Sequence, residues 1–133
     1  MIHALLDTNI LIALLRGHPL VTERVRARPI KSIGTSMVTV YELRVGVEKS
    51  REPEKNGQFL EDALAPFVVL PFDKPASIQS AKIRSLLERK GQGIGPFDTL
   101  IAGHALSVHA KLVTANTREF SRVPDLKMEN WLS

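Results

Sequence analysis

The sequence predicts one α/β domain over residues 1–133, an α/β/α sandwich around a mostly parallel central sheet, and three observations predict it. Short apolar runs of strand length alternate with longer stretches whose apolar residues recur at helical spacing. A chain of 133 residues buries enough surface for one ordinary core without disulfide or metal support. With 44% hydrophobic and 24% charged residues, the composition is that of a globular protein rather than a disordered or fibrous one.

The elements follow in chain order. Residues 2–6, "IHALL", form the first strand candidate, and "TNILIALLR" continues as a helix apolar on more than one face, stopped by Gly17 and Pro19. Pro19 opens a second helix through residue 28, which Pro29 ends. "KSIGTS" (31–36) predicts a short strand, and residues 38–49 a helix in which Val40, Leu43 and Val47 share a face. "EPEKNGQFLEDALAPF" (52–67) predicts the next helix, with Phe59, Leu60 and Leu64 turned inward. "FVVLPF" (67–72) is the clearest buried strand. Residues 73–91 set Ile78, Ala81, Ile83, Leu86 and Leu87 at helical spacing, with cations near the C-terminal end and Gly91 as its cap. Pro96 marks the first turn of a helix running to about His109, and "KLVTAN" (111–116) is the fourth strand, ending in polar residues. No internal repeat, linker or low-complexity segment interrupts the pattern.

Several function classes fall away. The longest apolar stretches, 10–15 and 67–72, are far shorter than the roughly 20 residues of a spanning helix, so no membrane partner is expected. Met1 leads to Asp7 without a basic region or small-residue cleavage site, which predicts a cytoplasmic protein. Zero cysteines exclude thiolate zinc sites, disulfides and cysteine nucleophiles. "GQGIG" (91–95) lacks the preceding strand and the spacing of a dinucleotide loop, and there is no Walker lysine or G-x-S-x-G elbow. Asn9 stands where a haloacid-type phosphatase needs a second aspartate, and His104 and His109 are five apart, on different helix faces. The excess of 18 Lys and Arg over 14 Asp and Glu favours a polyanionic partner without naming one. Arg16, Arg24, Arg26, Arg28, Lys31, Arg84, Arg89 and Lys90 are its richest local sources.

Three acids carry the chemistry: Asp7 after the first strand, Glu42 in the helix following the second, and Asp98 at the start of the "PFDTLIAGH" helix. Each has a plain structural explanation. Asp7 suits an N-cap, Glu42 lies three residues after Thr39 as in a capping box, and Asp98 complements a helix dipole. The carboxyl ends of parallel strands, however, share one edge, where groups from distant parts of a chain converge. Two carboxylates about 4 Å apart repel by roughly 4 kcal/mol at an effective dielectric of 20, so a cluster of three calls for protons or a hard cation. An oxygen-only donor set favours Mg²⁺ or Mn²⁺ over zinc. Thr114, Asn116 and Glu119, beyond the fourth strand, are placed to complete the pocket, although for Thr114 taken alone a simple turn is the better account.

In the same order along almost the whole chain, "LLDTNILI", "VTVYELRVGV", "IGPFDTLIAGHA" and "LVTANTREF" resemble the four acidic motifs of the PIN-domain family, in particular its VapC-type toxin ribonucleases of type II toxin–antitoxin systems. The resemblance implies that Asp7, Glu42 and Asp98 are catalytic and hold Mg²⁺ or Mn²⁺, with Asn116 and Glu119 completing the catalytic set. Many relatives carry a further Asp around Asn116, so the amide here leaves one or two ions open. The implied reaction is hydrolysis of a phosphodiester in structured RNA, transfer or ribosomal, by metal-activated water, leaving a 5′-phosphate and a 3′-hydroxyl. Thr8 and Thr114 are expected to position water or the scissile phosphate. The implied assembly is a homodimer neutralised by a small VapB-type antitoxin, in a complex of that size or larger, with the antitoxin covering the apolar helices near residues 10–28. A non-catalytic RNA-binding or docking module is the alternative. Aromatic residues total 5%, which disfavours an extended base-stacking platform.

Overall fold

The computed structural model describes residues 1–133. Its elements are β1 (Ala4–Leu6), α1 (Thr8–Leu15), α2 (Pro19–Arg26), β2 (Ile33–Ser36), α3 (Met37–Glu48), α4 (Pro53–Leu64), β3 (Val68–Leu70), α5 (Lys74–Arg89), α6 (Pro96–Ser107), β4 (Lys111–Val113), α7 (Thr117–Phe120) and β5 (Met128–Glu129). The strands form one sheet in the order β3-β2-β1-β4-β5, and every pairing is parallel rather than mostly so. β1 lies at the centre, with Leu5 opposite Gly34 on one side and Leu112 on the other.

Strand alternation builds two cores. Ala4, Leu6 and Val113 face one side with Ile10, Leu11, Val21, Leu60 and Leu64, while Leu5 and Leu112 face the other with Ile83, Leu87, Ile101 and Phe120. Helices therefore cover both faces, as a parallel sheet requires. α3 spans the two layers, contributing Val38 to the second core and Val40, Leu43 and Val47 to the first.

Several boundaries and faces depart from expectation. β1 lacks residues 2 and 3, a 3₁₀ turn over Ile30–Ser32 replaces the start of the second strand, and the polar tail of "KLVTAN" lies beyond β4. β3, expected to be deeply buried, is a half-buried edge strand paired only with β2. Phe59 is 57% exposed, because α4 buries the stripe Gly57, Leu60 and Leu64, and Phe59 lies about 100° round from Leu60. Ile78 and Ala81 likewise point to solvent, since α5 buries Ala76, Ser80, Ile83 and Leu87. Gly91 terminates α5 as expected, with φ +65° just beyond the capping Lys90. α7 and β5, of four and two residues, are too short to show a period.

The C-terminal segment is fastened through Glu129. Lys111 Nζ donates to Glu129 Oε1 at 2.6 Å and Trp131 Nε1 to Oε2 at 2.8 Å, while the Arg28 guanidinium lies 4.5 Å over the buried Trp131 ring. Arg24 reaches the carbonyl of Ser133, so neither it nor Arg28 belongs to a free basic surface. The Lys111 hydrogen bond, aided by Trp131, holds the Glu129 carboxyl below its ordinary 4.5. A depressed folded pKa means stability present above the unfolded value and lost as pH falls through the folded one. Glu129→Gln is therefore expected to cost about 1 kcal/mol at neutral pH. Thermal melts across the acid range check this: the gap between the two proteins should narrow as pH falls below 4.5 and vanish once the folded-state carboxyl is protonated.

Candidate active site

Every acid singled out in the sequence lies at the carboxyl edge of the sheet, and each is placed by a different element. Asp7 follows β1, its N–H donating to Val113 O at 2.9 Å, so the backbone extends the ladder to β4 by one residue. In that extended conformation Asp7 caps α1: Oδ1 accepts from Thr8 N at 2.8 Å. Oδ2 accepts from the Thr114 hydroxyl at 2.8 Å, and Thr114 Oγ1 in turn accepts from Asn116 N at 3.0 Å. The turn explanation for Thr114 and the cap explanation for Asp7 are both correct, and both leave a carboxylate locked at the strand edge. Only 4% of Asp7 is exposed, and this burial raises its pKa against the opposing hydrogen bonds from Thr114 and Thr8.

Glu42 sits inside α3. The helix begins at Ser36, whose Oγ accepts from Val38 N at 3.0 Å, so the capping box with Thr39 does not form. Glu42 Oε1 instead accepts from the Thr8 hydroxyl at 2.9 Å, across to α1. Asp98 occupies the first turn of α6, whose N-cap is Gly95. A Cβ at Gly95 would stand 3.4 Å from Asp98 Oδ2. Glu119, on α7, accepts from Asn116 Nδ2 at 3.0 Å. Thr8, Thr114 and Asn116 are thus each turned onto a carboxylate.

Convergence shows most directly in the protonation of Asp98. Its carboxyl is pushed up to about 6, first by burial and then by the negative charges of Asp7, Glu119 and Glu42. No cation answers them: the carboxylates in ion pairs are Glu129, Glu61, Glu52 and Glu88, all outside this pocket. As the side chains stand, no three acids surround one point closely enough to hold a metal ion. The donor chemistry nevertheless fits a hard divalent cation, because four clustered carboxyls and an amide offer oxygen alone and an unpaired surplus of negative charge.

Ser36 and His104 form a supporting pair whose contact the sequence did not reveal. His104 is fully buried, with Nδ1 2.8 Å from Ser36 Oγ and its ring edge-on to Phe72. It ties α6 to the start of α3, the two helices that carry Asp98 and Glu42, and burial lowers its pKa. Nothing in a lone helical histidine announces such a partner 68 residues away. His109 stands apart, exposed and in a left-handed turn at φ 56°.

A parallel α/β/α sheet that collects four acids and their orienting hydroxyls at its carboxyl edge defines an acidic-pocket nuclease. The PIN domain model matches residues 4–126. The chain is 42% identical to the tRNA(fMet)-specific endonuclease VapC of Shigella flexneri over 98% of its own length and 99% of the relative's. It is 36% identical to Ribonuclease VapC2 of Rickettsia felis, with 96% of each chain covered. Among solved structures, the toxin in DNA-bound VapBC from Salmonella typhimurium superposes with a TM-score of 0.93 at 39% identity, covering 98% of this chain and 99% of that one. The chain belongs to the PIN-domain family and, within it, to the VapC-type ribonucleases.

Proposed function

We propose that this ribonuclease is a Mg²⁺- or Mn²⁺-dependent toxin that cleaves structured RNA and is silenced by a VapB-type antitoxin. The observation that carries the metal requirement is the cation-free cluster of Asp7, Glu42, Asp98 and Glu119, in which Asp98 feels the charge of the other three. Asp7, Glu42 and Asp98 would hold the ion, with Glu119 oriented by Asn116 at the margin. A bound ion supplies an acidified water and a counter-charge to the phosphorane-like transition state. The chain's own contribution is orientation. Thr8 contributes its N–H to Asp7 and its hydroxyl to Glu42, so one residue fixes two acids, and Thr114 fixes the remaining oxygen of Asp7. Water adds across a P–O bond, leaving a 5′-phosphate and a 3′-hydroxyl.

Transfer RNA is the favoured substrate, since relatives from Shigella and Salmonella at 42% and 39% identity are named tRNA(fMet)-specific. An antitoxin partner is supported by solved VapBC complexes from Salmonella, Rickettsia and Haemophilus that contain similar chains. The test is cleavage of purified initiator transfer RNA with and without chelator. Loss of cleavage on chelation and recovery with Mn²⁺ is expected, and scission indifferent to chelator would refute the metal requirement. RNA that binds yet stays intact in both metals would instead point to a non-catalytic module.

Protons should compete with the ion. Because the Asp98 carboxyl titrates at about 6, the metal-free site gains a proton as pH falls through that value. The metal concentration giving half-maximal cleavage should rise below about pH 6, and excess metal should restore activity there. Metal titrations at two pH values measure it.

A further inference from the structure

Two exposed aromatic rings flank the acids without being needed by them. Tyr41 immediately precedes Glu42 on α3 and Phe97 immediately precedes Asp98 on α6, and the rings meet at 5.6 Å with an interplanar angle of 50°. Tyr41 is 53% exposed and Phe97 41%, whereas Trp131 and Phe120 are wholly buried. The pair therefore bridges the two helices that carry Glu42 and Asp98, and about half of each ring is exposed. On the α4 side of Tyr41 lies an open groove of about 590 Å³, bordered by Met37, Val40, Leu64, Phe67 and Val69.

We propose that Tyr41 and Phe97 form a stacking rim for one unpaired base of the RNA, next to the phosphate that enters the acidic pocket. The inference rests on the ribonuclease assignment above. A phosphate held at the ion that Glu42 and Asp98 would bind brings its neighbouring nucleotide toward the residues adjoining those acids in sequence, which are these two rings. Aromatic faces stack any base, and unstacked bases occur in loops rather than in A-form helices. A rim of two rings takes one base, not a run of them, in keeping with a chain in which aromatic residues total 5%. The enzyme thus selects loops over duplexes at the cut, and a purine, with its larger stacking surface, over a pyrimidine.

Tyr41 is the single tyrosine of the chain, so 3-fluorotyrosine labels this position alone and yields one ¹⁹F resonance. Titration of the full-length protein with a single-stranded RNA oligonucleotide in chelator is expected to shift that resonance, and blunt duplex RNA to shift it far less. Tyr41→Ala and Phe97→Ala should raise KM for transfer RNA by at least about 5-fold with kcat little changed, while Tyr41→Phe keeps the ring and the wild-type KM. A resonance unmoved by RNA that demonstrably binds, or an unchanged KM in both alanine variants, would overturn the proposal. So would a resonance that moves on dilution without RNA, which would mean that a second copy of the chain covers the ring. Cleavage without a Tyr41 response sinks only the stacking rim, whereas absence of any cleavage sinks the ribonuclease reading beneath it.

Discussion

Asp7→Asn is expected to lower RNA cleavage by at least about 100-fold while leaving the fold intact. Loss of an outer partner of a metal ligand already costs 10- to 100-fold in many sites, and here a proposed ligand would itself lose its charge. The fold should tolerate the change because asparagine is as good an N-cap as aspartate, and the amide oxygen still accepts from Thr8 N or the Thr114 hydroxyl. Stability supplies a second readout. Asp7 is buried with its pKa raised, so the metal-free protein gains when that charge is deleted. The melting temperature of Asp7→Asn in chelator should equal or exceed that of the wild type, while divalent ions should raise the wild-type value and leave the variant's unmoved. Asp98→Asn should behave alike, since its carboxyl is held at about 6 by the same neighbours. Undiminished cleavage by either purified variant would refute their assignment as metal ligands.

Gly103→Ala is expected to be the most damaging substitution to the fold. A Cβ at Gly103 on α6 would stand 2.0 Å from Ser80 Oγ, 2.5 Å from Ser80 N and 2.6 Å from Ser80 Cα on α5. Ser80 Oγ donates to Ala76 O at 2.8 Å and also reaches Leu100 O on α6 at 3.4 Å, and the approach is possible because Gly103 presents only hydrogen there. Inserted methyl groups in packed cores cost about 1–3 kcal/mol, and contact with backbone rather than a movable side chain places this one at or above that range. Against a total stability of about 5–15 kcal/mol, chemical denaturation should show a large loss of midpoint or no folded protein. Ser80→Ala should not rescue it, since two of the three clashing atoms are backbone. Recovery by that second change would show that the side chain alone set the spacing.

Much of the site was legible because its residues occupy positions where local sequence already implies geometry. Asp7 and Thr114 follow apolar runs that end as strands, and Asp98 follows Pro96 at a helix start, so three polar groups could be assigned to one sheet edge. Glu42 was legible as an acid but not as a partner of Thr8, since the hydroxyl that holds it comes from 34 residues earlier. Asn116 drew attention as a departure from an acidic motif, and its amide proves to grip Glu119. The strands and helices through β4 were found in order and α7 and β5 were not, while Phe59, Ile78 and Ala81 were given to the core and β3 was read as the clearest buried strand.

Those errors share a cause. An apolar residue on a helix shows its angular position relative to its neighbours, but only the packed partner decides which stripe is covered, and α4 and α5 bury stripes that exclude Phe59 and Ile78. What the amino-acid order determined alone was the alternation of elements, the acids at their ends and the surplus of negative charge those acids would bring if they met. The tertiary structure decided that they do meet, how Asp7, Glu42 and Glu119 are held, and that Tyr41 and Phe97 stand half exposed beside them. The physical reason is range: propensity and capping act within a few residues, whereas the Coulomb repulsion at Asp98 depends on Asp7, Glu42 and Glu119, which only the folded parallel sheet and its helices bring near.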